Sequence, residues 1–322
     1  MAGTLSVIMA NYNHGHYLNQ SVTAVLGQSY PPTQFIIVDD ASTDDSFERL
    51  EQFAKSHPSI KLLRNAKNMG PVESFQKALV YATGSYVYGA AADDMVLPGF
   101  FEKCIPVLDA HPEAGLVHTD FQTMDGRVNN FFPLKEPRYF SSGMLIRLLK
   151  RSGYFAGGGP NSIFRRTALI EVGGFRPELK WHCDSFALIL IGLRYGACYV
   201  PGSYVAIRVA LDSYSRGGSL IERDEREILE RILELLNTSA FDDIRPLLSQ
   251  ALVWPVTAPQ SLSLIFKDER FKSYRSLRLV TSALKLKLRR EIVHFVPLGF
   301  KRWYWQARNQ ARKLRYSILG RI

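Results

Sequence analysis

The chain has 322 residues, 46% of them hydrophobic and 12% aromatic, enough for one large α/β domain with an extension or for two ordinary domains. That composition excludes disorder over most of the length. The net charge of +10 belongs to one end: from Lys267 onward there are 16 Lys and Arg against 3 Asp and Glu, so a polyanion-seeking surface is expected of the tail and not of the body.

The three cysteines, Cys104, Cys183 and Cys198, have neither metal-ligand spacing nor an even count for disulfides, which points to a reducing compartment. The opening MAGTLSVIMANYNHG lacks the basic stretch of a secretory signal. No run of 18 uncharged apolar residues occurs, so no helix is expected to span a membrane. The expectation is a protein of the cytoplasm or of a cytoplasm-facing surface.

LSVIMA (5–10) reads as a buried strand, and the segment after it places Tyr17, Leu18, Val22, Val25 and Leu26 near helical spacing. PPTQ then breaks the chain before a second buried strand, FIIVDDAST. An amphipathic helix, FERLEQFAKSH, a third strand, IKLLRN, and a helix stopped by Gly84, SFQKALVYATG, come next. SYVYGAAADD is the fourth strand. This alternation predicts βαβ units around a parallel sheet, whose ligands sit beyond the carboxyl ends of the strands. Asn11-Tyr12-Asn13, Asp39-Asp40 and Asp93-Asp94 all fall just past such ends, so one sheet edge should gather them. Asp93 and Asp94 repel one another and have no Lys or Arg near them in sequence. A divalent metal is one counter-charge for the pair; solvent is the plain alternative.

Further along, GYFAGGGPNSIFRR (153–166) has three successive glycines that permit close backbone approach to a ligand. Asn161 and Arg165 are the donor- or acceptor-loop candidates there, with Arg165 or Arg166 turned to phosphate; a connection ending in a cationic strand is the alternative. His118, Asp120 and His182 have no diagnostic metal spacing and read as supporting residues. DSYSRGGS (212–219) suits a flap over a donor, with Arg216 reaching a diphosphate.

Five blocks in this order, SVIMANYNHGHYL, VDDASTDDS, NMG, ADDMVLPG and GGFRPELKWHCDSFALILIGLRYG, resemble the family 2 glycosyltransferases of GT-A fold over residues 4–215. The resemblance implies an α/β, Rossmann-like architecture: a mostly parallel central sheet flanked by helices, with a nucleotide-binding half (1–100) and an acceptor half (101–220). A helical, basic region, 221–322, follows in this chain. Also implied is transfer of a sugar from a nucleotide-sugar, a UDP-sugar being favoured, to a glycan or lipid-linked acceptor with inversion, assisted by Mg²⁺ or Mn²⁺. By the same resemblance Ala10 and Tyr12 lie against the nucleotide, with the tyrosine ring on the base. Asp40 bonds the base edge with Asp39 beside it, Asp93 serves ribose or donor sugar, Asp94 is the metal ligand and Asp184 the catalytic base. The chain departs from the family pattern in three places: Ala10 replaces a proline, Ala91 an aspartate of Asp-x-Asp-Asp, and Cys183 a glutamate beside the base.

ERDEREILERILELLN, near the start of the last hundred residues, reads as an amphipathic helix. Basic and apolar residues then mix with Trp303, Tyr304 and Trp305, a pattern that suits an anionic membrane interface on the inner face of the cytoplasmic membrane. Nucleic acid is the rival polyanion, disfavoured because the resemblance implies glycan synthesis. A nucleotidyltransferase needs a basic Gly-rich loop near the N-terminus, and NYNHGHY is not one. A catalytically silent GT-A scaffold binding membrane or nucleic acid is the non-enzymatic alternative, kept open by Ala91.

Overall fold

The computed structural model describes residues 3–129, 132, 134–152, 158–209, 222–251, 259–275, 279 and 281. Two compact units arise: the first from described parts of 1–131, 136–143 and 156–218, the second from described parts of 132–135, 144–155 and 219–322.

In the first unit the elements run β1 (Leu5–Asn11), α1 (Gly15–Leu26), β2 (Gln34–Asp39), α2 (Ser46–Ser56), β3 (Ile60–Arg64), α3 (Pro71–Leu79) and β4 (Tyr86–Ala91). Strands β1 and β2 are apolar runs buried on both faces, which a sheet covered by helices requires. All four strands are parallel, in the order β3-β2-β1-β4. Asn11 pairs with Asp39, Asp39 with Arg64, and Ala10 with Ala91, so the carboxyl ends of the four strands finish level with one another. Helix α2 follows its propensity signals, with Glu48 in the first turn, Lys55 in the last, and Leu50 buried. Helix α3 begins at a proline in its first turn, directly after Gly70, whose φ of 89° only glycine adopts without strain.

The second half of this unit departs from a purely parallel plan. It contains β5 (Met95–Val96), α4 (Phe100–Ala110), β6 (Leu116–Thr123), β7 (Val128–Asn129), β8 (Arg138–Phe140), α5 (Ser142–Ser152, most of which belongs to the second unit), β9 (Ser162–Arg165), α6 (Arg166–Glu171), α7 (Cys183–Tyr195) and β10 (Ala197–Ile207). Strand β9 lies antiparallel between β4 and β6, which makes the sheet mixed. Strand β10 runs parallel to β6 and antiparallel to the short β5. The core beneath is aromatic: Tyr88 meets Phe100 and Phe101 edge-on at ring separations of 5.2 and 5.5 Å, a geometry that adds to the roughly 2–3 kcal/mol of each buried side chain.

The second unit is helical where described, with α8 (Glu222–Leu236), α9 (Arg245–Ala251) and α10 (Pro259–Lys267). Ile228, Leu229, Ile232, Leu233 and Leu236 form the buried stripe that the sequence periodicity of α8 predicts. Arg270, just past α10, is held by Asp268, Glu230 and Glu234. Among the described residues no helix is long and apolar enough to cross a membrane.

Candidate active site

The carboxyl edge of the parallel strands carries a laced pair of loops. Buried Asn11, the last residue of β1, donates Nδ2 to Asp39 Oδ1 (3.3 Å) and to Ser42 Oγ (3.2 Å). Asp39 Oδ2 accepts from the Ser42 N–H at 3.2 Å and faces Arg64 Nε at 3.4 Å. Asn13 reaches across in turn, its Oδ1 accepting from the Thr43 N–H at 2.8 Å. Asn13 and Ala41 both sit in the left-handed region, φ 55° and 60°, one at each strand exit. Neither is glycine, so each stores about 1–3 kcal/mol of backbone strain that the lacing holds in place. Tyr12 is thereby presented at the rim with 40% of its surface exposed. Ala10 lies one residue inside the ladder, between Val38 and Ala91.

Asp40 is buried and strongly engaged. Its Oδ1 accepts from Asn65 Nδ2 (2.7 Å) and the Met69 N–H (2.9 Å), and its Oδ2 from the Gly70 N–H (2.7 Å). Asn65 is fixed in turn by Ser74 Oγ and Lys77 Nζ. A carboxylate has about four acceptor positions, and three of these are filled from within the chain. Asp40 thus sets the course of the loop 65–70 and the start of α3, and that loop offers exposed Met69 to solvent. Sequence reasoning missed Asn65, although it follows β3 as Asp40 follows β2, and the strand-end rule applies to it equally.

Asp93 and Asp94 follow β4, and here the sequence-local view needs correcting, since a cation does stand beside them. The Arg208 N–H donates to Asp94 Oδ1 at 2.7 Å, and Arg208 Nε donates to the Asp93 carbonyl at 3.1 Å. The guanidinium lies 4.0 Å from the centre of the Tyr17 ring. Pairing of β5 with β10, Met95 opposite Ala206, brings Arg208 there. Even so, burial and then the charge of Asp93 push the Asp94 carboxyl up to about 7, with Arg208 pulling the other way. An acid pair of hard oxygen donors with its negative charge only partly compensated fits Mg²⁺ or Mn²⁺. Among the described residues no group of three or more His, Cys, Asp or Glu converges.

Asp184 opens α7, after a reversal at Lys180, whose φ is 45°. Its Oδ2 accepts from the Gly159 N–H at 2.8 Å and its Oδ1 from the Ser185 N–H at 2.6 Å. The turn carrying Gly159 is moored to the sheet, since Tyr88 of β4 donates its hydroxyl to the Pro160 carbonyl at 2.9 Å and buried Asn161 donates Nδ2 to the Thr119 carbonyl of β6. Asn161 is therefore turned inward. Asp120 accepts from the Tyr199 hydroxyl and the Gly202 N–H, and His118 packs against Tyr199, with burial holding its pKa down to about 3.

The arginines of the 153–166 segment are also corrected. Arg165 pairs with Tyr86, the first residue of β4, and so lies at the amino end of that strand, opposite to the acids. It donates to the carbonyls of Leu108, His111 and Ala114, tying down the end of α4 and the turn after it. Arg166 donates to the Gly84 carbonyl at the same edge. Neither faces a phosphate bound at the carboxyl edge. Arg216, like the tryptophans of the tail, lies outside the described residues.

The model of the glycosyl transferase family 2 matches residues 6–173, more than half of the chain, and the chain belongs to that family. It is 39% identical over 90 residues to TuaG of Bacillus subtilis, whose name assigns it to teichuronic acid biosynthesis; the match covers 28% of this chain and 36% of TuaG. In three other curated glycosyltransferase relatives the chain spans 32–44% of their length. The fold is that of S. aureus TarS 1-349 in complex with UDP-GlcNAc (TM-score 0.64, 18% identity, 88% of this chain and 79% of that one). It is equally that of a Pyrobaculum calidifontis mannosyltransferase in complex with GDP-Man and Mn²⁺ (TM-score 0.61, 18% identity, 99% and 87%).

Proposed function

We propose that this chain transfers a sugar, with inversion, from a nucleoside diphosphate sugar to a hydroxyl of a cell-surface glycan or lipid-linked acceptor. The observation that carries the reading is the level finish of β1, β2 and β4, with Tyr12, Asp39-Asp40 and Asp93-Asp94 emerging at one edge. In this reading the exposed Tyr12 ring packs on the base, and Asp40 frames the base slot through the loop it anchors, with one acceptor position left for the base edge. Asp39 and Asp93 serve the ribose and sugar side. Asp94 is the ligand for Mg²⁺ or Mn²⁺, which when bound stabilises the charge that develops on the departing diphosphate. Asp184 takes the proton of the acceptor hydroxyl as the new C–O bond forms and the nucleoside diphosphate leaves from the opposite face, which inverts the anomeric carbon. Complexes of the two structural neighbours with UDP-GlcNAc and GDP-Man support a nucleotide-sugar donor, and the name of TuaG supports a surface polysaccharide. Residues 1–220 form the transferase domain in this proposal. The basic region 221–322 holds it peripherally on the anionic inner face of the cytoplasmic membrane.

A thermal-shift series over UDP-GlcNAc, UDP-glucose and GDP-Man, with Mn²⁺ or with chelator, tests the donor, because ligand binding raises the melting temperature by mass action. One UDP-sugar should stabilise the chain with Mn²⁺ and release UDP on incubation with a hydroxyl acceptor. Stabilisation by none of them, with Mn²⁺ or with chelator, defeats the proposal. For the tail, sedimentation with anionic liposomes should be lost when the chain ends after Thr281, a cut that spares buried Phe271 and Tyr274.

A further inference from the structure

The turn Gly158–Asn161 is fastened by its own side chains and by the sheet. Asn161 is only 1% exposed and both ends of its amide are engaged, Oδ1 accepting from the Gly158 N–H at 2.8 Å and Nδ2 donating to the Thr119 carbonyl. A buried amide so placed fixes the Gly158 N–H against β6, and Ser162 Oγ, donating to the Gly158 carbonyl at 2.8 Å, fixes the peptide that follows. The next N–H along, that of Gly159, is the one that meets Asp184 Oδ2. The fit there is close: a Cβ on residue 159 would stand 2.8 Å from Asp184 Oδ2 and 3.1 Å from its Cβ, nearer than such atoms approach, so a side chain at 159 displaces the carboxylate.

We infer that Asn161 and Gly159 are positioning residues for Asp184, the buried amide holding the Gly158 N–H so that the next N–H along, that of Gly159, fixes the plane of the carboxylate. The inference rests on Asp184 being the base. With Oδ2 held by Gly159 and Oδ1 by Ser185, the carboxylate can rotate very little. Proton transfer from an acceptor hydroxyl depends on such orientation, and about 1 Å of misplacement costs on the order of 100-fold in rate. Positioning acts on turnover. Donor binding does not depend on it, because the donor-side residues stand on the loops after β1, β2 and β4.

Three full-length variants test this beside Asp184→Asn: Gly159→Ala, Asn161→Ala and Arg165→Met. Arg165 donates to the carbonyls of Leu108, His111 and Ala114, at the amino end of β4 and off the path to Asp184. The probe is whichever of UDP-GlcNAc, UDP-glucose and GDP-Man the wild type turns over fastest with Mn²⁺, read as nucleoside diphosphate release, together with a crystal structure of each variant. Gly159→Ala and Asn161→Ala should lower kcat by about 10–100-fold with donor KM within about twofold of wild type, and Asp184 should be rotated away from residue 159. Arg165→Met should lose melting temperature but keep kcat. Wild-type kcat in Gly159→Ala or Asn161→Ala, when Asp184→Asn is inactive, overturns the inference. So does a kcat loss that tracks melting temperature across all three variants, or an unmoved Asp184 in both crystal structures. Full activity in Asp184→Asn instead removes the base assignment, and the crystal structures then still decide whether the turn sets this carboxylate.

Discussion

The main-chain N–H of Arg208 meets Oδ1 of Asp94 at 2.7 Å although 114 residues separate them in the chain. The same residue stacks its guanidinium on Tyr17 and bonds the carbonyl of Asp93, so it ties together α1, the loop after β4 and the end of β10 at the carboxyl edge and lends them positive charge. Arg208→Gln keeps the main-chain bond and removes the charge. Without its competing cation the acid pair should bind Mn²⁺ about three- to tenfold more tightly, equivalent to ~1 kcal/mol, while the chain without metal melts earlier. Titration calorimetry with Mn²⁺ checks this, and unchanged affinity would show that the charge of Arg208 is not sensed at Asp94.

Asp94 titrates in the folded chain near 7, whereas a free aspartate does so near 3.9. Between about pH 4 and 7 the folded chain holds a proton that the unfolded chain has released, so stability falls as pH rises through this window. Asp94→Asn removes that loss. Its stability advantage over wild type should grow from pH 5 to pH 8 by about 1–3 kcal/mol, and its stabilisation by Mn²⁺ should vanish. The comparison isolates Asp94 because His118, whose buried neutral ring works in the opposite sense on the acid side, is present in both chains. Parallel stability curves from pH 5 to 8 would contradict the assignment.

Asp40→Ala strips partners from Asn65 and from the Met69 and Gly70 N–H groups. The expected cost is about 2–4 kcal/mol in urea unfolding, since hydrogen bonds to a buried charge are the expensive ones to lose. Nucleotide affinity should fall with or without metal. A variant that binds UDP normally would free the base slot from the loop that Asp40 anchors.

Asp184→Asn keeps the size of the side chain and its capacity to accept from Gly159, but cannot take a proton. Transfer should drop by about 10²–10⁴ with donor affinity and melting temperature nearly unchanged. Asp184 stands second in α7, after His182 as the N-cap, and a purely structural residue at this place would leave the rate intact.

Arg165→Met is the converse case. Three carbonyls at the end of α4 lose their donor, and stability should fall by about 1–3 kcal/mol while nucleotide binding stays as it was. Loss of diphosphate affinity without loss of stability would return this arginine to the donor side.

The parallel half was legible because each of its strands is a short apolar run ending in acid or amide, and its helices carry their own start and stop residues. FIIVDD yields both β2 and the pair Asp39-Asp40 without any long-range information. What was not legible depends on pairing across the sheet. Arg165 reads as cationic and glycine-adjacent, hence as a phosphate ligand, until antiparallel pairing with Tyr86 puts it at the wrong end of the strand. Arg208 has no local signal, because its partners are contributed by β4 and α1. Asn161 looks like a loop residue among glycines, and only the packing of β6 beside it explains why its amide is buried.

Strand β9 fills the gap between β4 and β6 yet is made long after both of them. A chain emerging from the ribosome through β6 therefore exposes two facing strand edges, with Val87 on one and Val117 on the other, until SIFR arrives to satisfy them. At a synthesis rate of roughly 5–20 residues per second these edges stay open for seconds, a time in which unpaired strands find partners on other chains. Nascent chains stalled between β6 and β9 should thus be the species most dependent on a chaperone, a dependence that the four residues of β9 reduce before β10 covers the other edge of β6.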